Sequence, residues 1–260
     1  MARNSDLSTM VPMVRIHAGA EAPHECCGVI VRRVDGELQY MPCRNVANER
    51  DRFAMHPQDL IAAEQAGTPV AYAHSHVYTS PVPTDADRDW MSRTGLPWLI
   101  VNHPTGSFTI NDPAPFIAPL TGRTFVHGVH DCYGIIRDYY ATELGIALTD
   151  YPRKWGWWEH TDGPDLYREN FAREGLTAVW DHASPEAEGI DADALRLLRP
   201  HDVILMRIRT PRENHAAVYV GGNVLLHHLI DQPSRREYYG EFYQRRTTAI
   251  LRHRNFMQEG

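Results

Sequence analysis

Cysteine is scarce in this 260-residue chain. The four present, Cys26, Cys27, Cys43 and Cys132, have neither the spacing of a metal finger nor that of a disulfide framework. A small scaffold stapled by cystines is thereby excluded, and Cys26, Cys27 and Cys43 read as small buried residues of strands. No apolar run is long enough to cross a bilayer, so no membrane span is expected. The N-terminus lacks the apolar core of a signal peptide, which leaves export by a specialised machine open. Blocks of lysine and arginine are also missing. Net charge is −7, and the pairs Arg235-Arg236 and Arg245-Arg246 are broken up by Glu237, Glu241 and aromatics. No nucleic-acid partner is expected from that pattern, and these arginines read as a solvated face.

What is present is globular: 43% of residues are hydrophobic and 23% charged. The length suits two domains of about 110–140 residues each. In the first half, Gly28, Val29, Ile30 and Val31 read as a buried strand. The turn at Asp35-Gly36 and the run 38–41 complete a hairpin. Residues 56–67 predict a helix ending at Gly67, residues 70–76 a strand, 87–93 a helix stopped by Gly95, and 96–101 and 107–110 two further strands. Residues 1–20 are legible only as a frayed start followed by a helix or loop. Between 111 and 122, Pro113, Pro115 and Pro119 stiffen the chain and exclude helix. The expected division is therefore a domain over 1–110, a proline-rich linker over 111–122 and a domain over 123–260.

The first half carries a metal-ligating pattern. His74 and His76 stand at i and i+2, which on an extended strand turns both rings to one face. Asp87 follows at the start of a helix. Two imidazoles and one carboxylate are a three-ligand set for Zn²⁺, with a fourth position open to water as in catalytic sites. Glu25, upstream of the buried strand, is the candidate general base, and Thr84 offers a hydroxyl to a developing oxyanion. The other histidines are scattered and read as surface or capping residues.

The second half carries a nucleophile. Asp131 suits an N-cap, and apolar residues at 135, 136, 139 and 140 mark a helix face. Cys132 then lies in the first helical turn, where the helix dipole favours a thiolate and lowers its pKa. Residues 200–206 read as a strand, and 214–228 as a hairpin turning at Gly221, Gly222 and Asn223. His215 and His227 sit near its outer ends on neighbouring strands. This gives the roles of nucleophile (Cys132), base (His215) and orienter (His227), with His228 ranked below His227 because alternation turns it away. His130, two residues before Cys132, is a candidate to stabilise the thiolate. Trp155, Trp157 and Trp158 are either a stacking platform or a contact to a partner.

Glu25, then His74-x-His76, Thr84 and Asp87 in that order, resemble the JAMM (MPN-plus) metalloprotease signature. Thr84 stands where that family has serine, and Val77 replaces the usual proline after the second histidine. Asp131-Cys132, His215 with its Ala-Ala-Val-Tyr-Val-Gly run, and His227 resemble the NlpC-type papain-like cysteine peptidases, which cleave stem peptides of bacterial cell walls. The two halves in this order are similar to the phage tail assembly protein K family, over about residues 25–253. The resemblance implies an α/β N-terminal domain with a layered, cytidine-deaminase-like sheet, and an α+β papain-like C-terminal domain. It implies a cysteine endopeptidase combined with a zinc metallopeptidase or isopeptidase. Its implied partners are other tail-tip proteins and peptidoglycan stem peptides. The implied place is the virion tail tip: made in the host cytoplasm, acting in or near the periplasm and wall. Two rival expectations are a non-enzymatic assembly factor, and a protein-processing metallopeptidase whose second half is inert.

Overall fold

β1 (Cys27–Arg32) alternates between two covered faces, as the period of a strand requires. Ile30 packs with Leu7, Val14, Leu99 and Val101 on one side, while Val29 and Val31 pack with Cys43 and Ala63 on the other. The computed structural model describes residues 4–47, 50–159, 162–182 and 189–257. The chain forms two compact units, Met1–Ile117 and Ala118–Gly260.

In the first unit β1 is joined by β2 (Leu38–Cys43), β3 (Thr68–His76), β4 (Trp98–Asn102) and β5 (Phe108–Asn111), in the spatial order β2-β1-β3-β4-β5. β3 and β4 pair parallel and the other neighbours antiparallel. One face is covered by α1 (Asn4–Leu7) and α2 (Val11–Glu21), elements that the sequence left indistinct, through Leu7, Val11, Val14 and Ala18. The other face is covered by α3 (Pro57–Ala66) through Leu60 and Ala63. Along β3, Ala71 and Ala73 join the α2 side and Tyr72 the α3 side. Period two therefore puts His74 and His76 on the α3 side at the strand's C-terminal end. α4 (Asp85–Thr94) follows, closing on Gly95 at φ 65°. Glycine adopts that left-handed conformation without the cost a Cβ would impose.

The second unit holds α5 (Cys132–Leu144), α6 (Leu166–Arg173) and β6 (Leu176–Asp181), then α7 (Ala192–Leu197), β7 (Val203–Met206), β8 (His215–Gly221) and β9 (Val224–His227). β10 (Arg235–Tyr238), α8 (Glu241–Gln244) and β11 (Thr247–His253) complete it. Its sheet runs β10-β9-β8-β7-β11-β6, antiparallel throughout. α5 lies on one face, where Ile135, Ile136 and Tyr140 meet Leu205, Ala216 and Val218. Ile204, Met206, Ala217, Tyr239 and Tyr243 form a second core on the other face. Helices beside an antiparallel sheet make this unit α+β, and the first unit, with helices on both faces of a mixed sheet, is α/β. Both match the expected fold classes.

Candidate functional site

In the first unit the C-terminal end of β3 presents the two imidazoles, and the start of α4 brings the carboxylate. Thr84 is the N-cap of α4: its hydroxyl accepts from the Asp87 amide at 3.2 Å and donates to Asp87 Oδ2 at 2.8 Å. The Thr84 amide donates to the same oxygen at 2.8 Å, completing a reciprocal capping box. Asp87 is thereby aimed at the strand by the fold of its own helix start. Because the single hydroxyl proton of Thr84 goes to Asp87, the geometry gives Thr84 a supporting bond to that carboxylate. The oxyanion contact expected of it from sequence would have to compete for the same proton.

His74 Nε2 and His76 Nε2 are 3.1 Å apart. His74 Nε2 lies 3.4 Å from Asp87 Oδ1, and His76 Nε2 lies 3.5 Å from Asp87 Oδ2. Ligand atoms about 2.0–2.1 Å from a tetrahedral ion stand about 3.3–3.4 Å from one another. The three observed separations bracket that value, so the set fits one metal ion. The protons agree with it. His76 Nδ1 is 2.6 Å from the Ser80 carbonyl, which can only accept, so Nδ1 carries the hydrogen and Nε2 keeps its lone pair for the centre. Phe53 and Trp98 box the buried His74 ring, at centroid distances of 4.7 and 5.2 Å.

Burial pushes His74 down to about 4, against the pull of Asp87, so the ring is neutral at any pH near 7. Burial acts the same way on His76, but Asp87 and the Ser80 carbonyl outweigh it and hold that ring above its ordinary value. Burial also opposes ionisation of Asp87, yet His74, His76 and Thr84 bring it down to about 2. Glu25, buried just before β1, is pushed up to about 8 by burial, with His76 acting against the shift and Asp87 and Asp51 adding to it. A cation held by those three side chains would favour the carboxylate and lower that pKa toward about 7, where a general base works best.

In the second unit Asp131 caps α5, its Oδ1 accepting from the Gly134 amide at 2.8 Å. Its Oδ2 takes the Gly128 amide at 2.8 Å and Arg153 Nε at 2.9 Å. A Cβ on Gly134 would stand 2.3 Å from the Val129 carbonyl, so only glycine lets the 125–131 loop close over the helix start. This fixes Cys132 in the first turn. Its Sγ lies 2.8 Å from the Tyr167 hydroxyl. Cys132 lines a cavity of about 290 Å³ together with Asp131, Arg153, Trp157, Trp158, Tyr167, His215 and His228. Trp157 and Trp158 are thus part of the cleft wall, whereas Trp155 is half exposed and stacks edge-on with Trp158 and His127.

The thiol differs from the sequence expectation. Burial first, then the charge of Asp131, push Cys132 up to about 11, while Tyr167, the Ala216 backbone and Arg153 pull the other way. The helix start favours a thiolate, but removing the sulfur from water costs more than that dipole returns. A thiolate here requires a partner to receive the proton.

β8 and β9 pair with Ala217 opposite His227, so His215, two residues earlier, shares a face with His227. His215 Nε2 is 3.0 Å from His227 Nδ1. His228, one residue on, turns to the other side, edge-on to Phe125 at 5.2 Å, and lines the cavity. His130 is buried within the 125–131 loop. Two residues that sequence reasoning missed come into contact here. Tyr167 reaches Cys132 from α6, and Glu237 of β10 places Oε2 3.1 Å from His227 Nε2. Arg235 and Glu237 are therefore not simply a solvated face. Arg235 Nε donates to Glu237 at 2.8 Å, and the carboxylate turns inward to His227 because β10 pairs with β9.

The family model for prokaryotic homologs of the JAB domain matches residues 10–111, and that for the NlpC/P60 family matches residues 122–252. The chain is 35% identical over 246 residues to the tail tip assembly protein K of Escherichia phage N15, covering 94% of each protein. It is 37% identical over 201 residues to that of Escherichia phage lambda, covering 77% of this chain and 89% of the relative. A desampylase of Haloferax volcanii is 34% identical over 119 residues, 43% of this chain and 82% of the relative.

Proposed function

From the premise that this chain belongs to the tail tip assembly protein K family, with a JAB-like and an NlpC/P60 domain, we propose that it is a tail-tip peptidase of two sites. The second unit acts as a cysteine endopeptidase on the stem peptides of peptidoglycan. The first is a zinc-dependent peptidase or isopeptidase. The protein is made in the host cytoplasm, joins other tail-tip proteins, and acts in the virion on or near the host wall. The observation that carries this reading is Cys132 at a helix start, lining one cavity with His215, whose outer nitrogen is held by His227.

In this mechanism His215 receives the Cys132 proton as sulfur attacks the scissile carbonyl. Positive helix-end charge from α5 favours the oxyanion that forms. Collapse breaks the C–N bond, and His215 hands its proton to the departing amine. Water, deprotonated by the same imidazole, then cleaves the thioester, releasing a carboxylate and restoring the thiol. The aromatic wall of Phe125, Trp157 and Trp158 excludes water and takes apolar parts of the peptide.

In the first unit His74, His76 and Asp87 would hold a Zn²⁺. When bound, such an ion polarises a carbonyl and lowers the pKa of a water to about 7. Glu25 receives the proton of the attacking water and delivers it to the leaving amine. Thr84, through its bonds, keeps Asp87 in place.

Inhibitors separate the two sites. Pretreating the full chain with iodoacetamide is expected to stop cleavage of purified wall fragments, whereas 1,10-phenanthroline is expected to leave it within about twofold. Cleavage that survives alkylation, or that chelation abolishes, would move the wall activity away from Cys132.

A further inference from the structure

A cysteine peptidase of this kind depends on which nitrogen of its base carries the proton, and the second unit contains a group placed to decide it. Glu237 Oε2 accepts from Arg235 Nε at 2.8 Å, from the Tyr243 hydroxyl at 2.8 Å, and faces His227 Nε2 at 3.1 Å. Burial opposes its ionisation, but Tyr243, Arg235 and His227 hold it below the usual carboxylate range. An ionised carboxylate only accepts, so His227 Nε2 must carry a hydrogen. Burial lowers the pKa of His227 despite Glu237, so the ring is neutral near pH 7 and its Nδ1 is a lone pair. His215 Nε2, 3.0 Å away, must then be the donor of that bond. Its own pKa is also lowered, first by burial, so it too is neutral and its Nδ1 is left free to accept a proton.

We infer that Glu237 is a positioning residue that sets the tautomers of His227 and His215, leaving His215 Nδ1 as the proton acceptor for Cys132. This rests on the Cys132–His215 reading above. Without the carboxylate, His227 can carry its hydrogen on Nδ1 and donate to His215 Nε2. The proton of neutral His215 then sits on Nδ1, and the base is in the wrong form. The charge also matters once His215 has taken a proton, because Glu237 lies at the far side of the ring that accepts from it. Sequence alternation supports the placement: Arg235 stands opposite His227, and Glu237, two residues on, is its diagonal neighbour on the same face. Tyr243 closes the far side, edge-on to His227 at 5.1 Å.

The test is the pH dependence of iodoacetamide alkylation at Cys132 in the full chain, read by peptide mass spectrometry. The charged or titratable groups that bear on it are Asp131, Arg153 and Tyr167 at the thiol, and His227 and His228 at His215. Those at Glu237 are His227, Arg235 and Tyr243. Glu237→Gln keeps the size but removes the charge and turns one acceptor oxygen into a donor amide. It is expected to slow alkylation at pH 7 at least tenfold and to move its rise toward higher pH. Glu237→Asp, which restores the charge, should recover most of the rate. In ¹⁵N-histidine spectra the native His215 Nδ1 should give an unprotonated shift that Glu237→Gln alters. A fast native thiol, slowed by His215→Ala but untouched by Glu237→Gln, would overturn this inference and leave the peptidase reading standing. A native thiol that His215→Ala does not slow would instead overturn the Cys132–His215 pair itself.

Discussion

Replacing His74 by alanine is expected to empty the metal centre: elemental analysis should find about one Zn²⁺ per native chain and close to none in His74→Ala. The ring is fully buried between Phe53 and Trp98, and no other described residue stands where it could substitute. Glu25→Gln should retain the metal, because the three ligands are complete without it, and lose only the cleavage that depends on them. Thr84→Val removes the hydroxyl that supports Asp87 and should weaken metal affinity by roughly 10–100-fold, the usual effect of losing a ligand's own hydrogen-bond partner. The pH dependence has a definite sign. His76 is held above its ordinary value while His74 is held near 4, so protons compete for His76 first. Affinity should therefore be full above the His76 pKa and fall as pH drops through it, with His74 protonating only in stronger acid. Retention of zinc by His74→Ala would place the ion elsewhere.

The second large effect is on thiol chemistry. Cys26, Cys43 and Cys132 are each pushed up to about 11, mainly by burial, and Cys27 goes up further. On burial alone, all four should be inert at neutral pH. Cys132 differs by lining a cavity with a histidine whose outer nitrogen is already bonded. It should alkylate at pH 7 at least tenfold faster than the other three, and His215→Ala should erase the difference. His227→Ala should slow it more than His228→Ala, because His227 is the ring within 3.0 Å of His215. Four equally slow thiols would remove the case for a nucleophile.

How far the sequence reached depended on how local each interaction is. His74 and His76 share a face through strand geometry alone, and Asp87 is set by a capping box four residues long, so this group was legible. Cys132 was legible for the same reason, through Asp131 and the helix start. The hairpin joining His215 to His227 is also local, and its glycine turn announced it. Glu237 was hidden, because its carboxylate reads as surface charge until the β9–β10 register is known. Tyr167 was hidden too, reaching Cys132 from a helix 35 residues away. The pKa of Cys132 was misjudged because a helix dipole can be read from a cap, whereas depth of burial comes from the whole unit. α2 stayed open between helix and loop because its buried positions, Val11, Val14 and Ala18, are few and its remaining residues mostly face outward.

That Cys132 performs the wall chemistry is an expected result. Its most direct test is digestion of purified peptidoglycan fragments by the native protein, Cys132→Ser and Glu25→Gln, with products identified by mass spectrometry. A cut stem-peptide bond is expected with the native protein and Glu25→Gln, and intact fragments with Cys132→Ser, which should keep its zinc. Equal cleavage by Cys132→Ser, or none by the native protein, would contradict it.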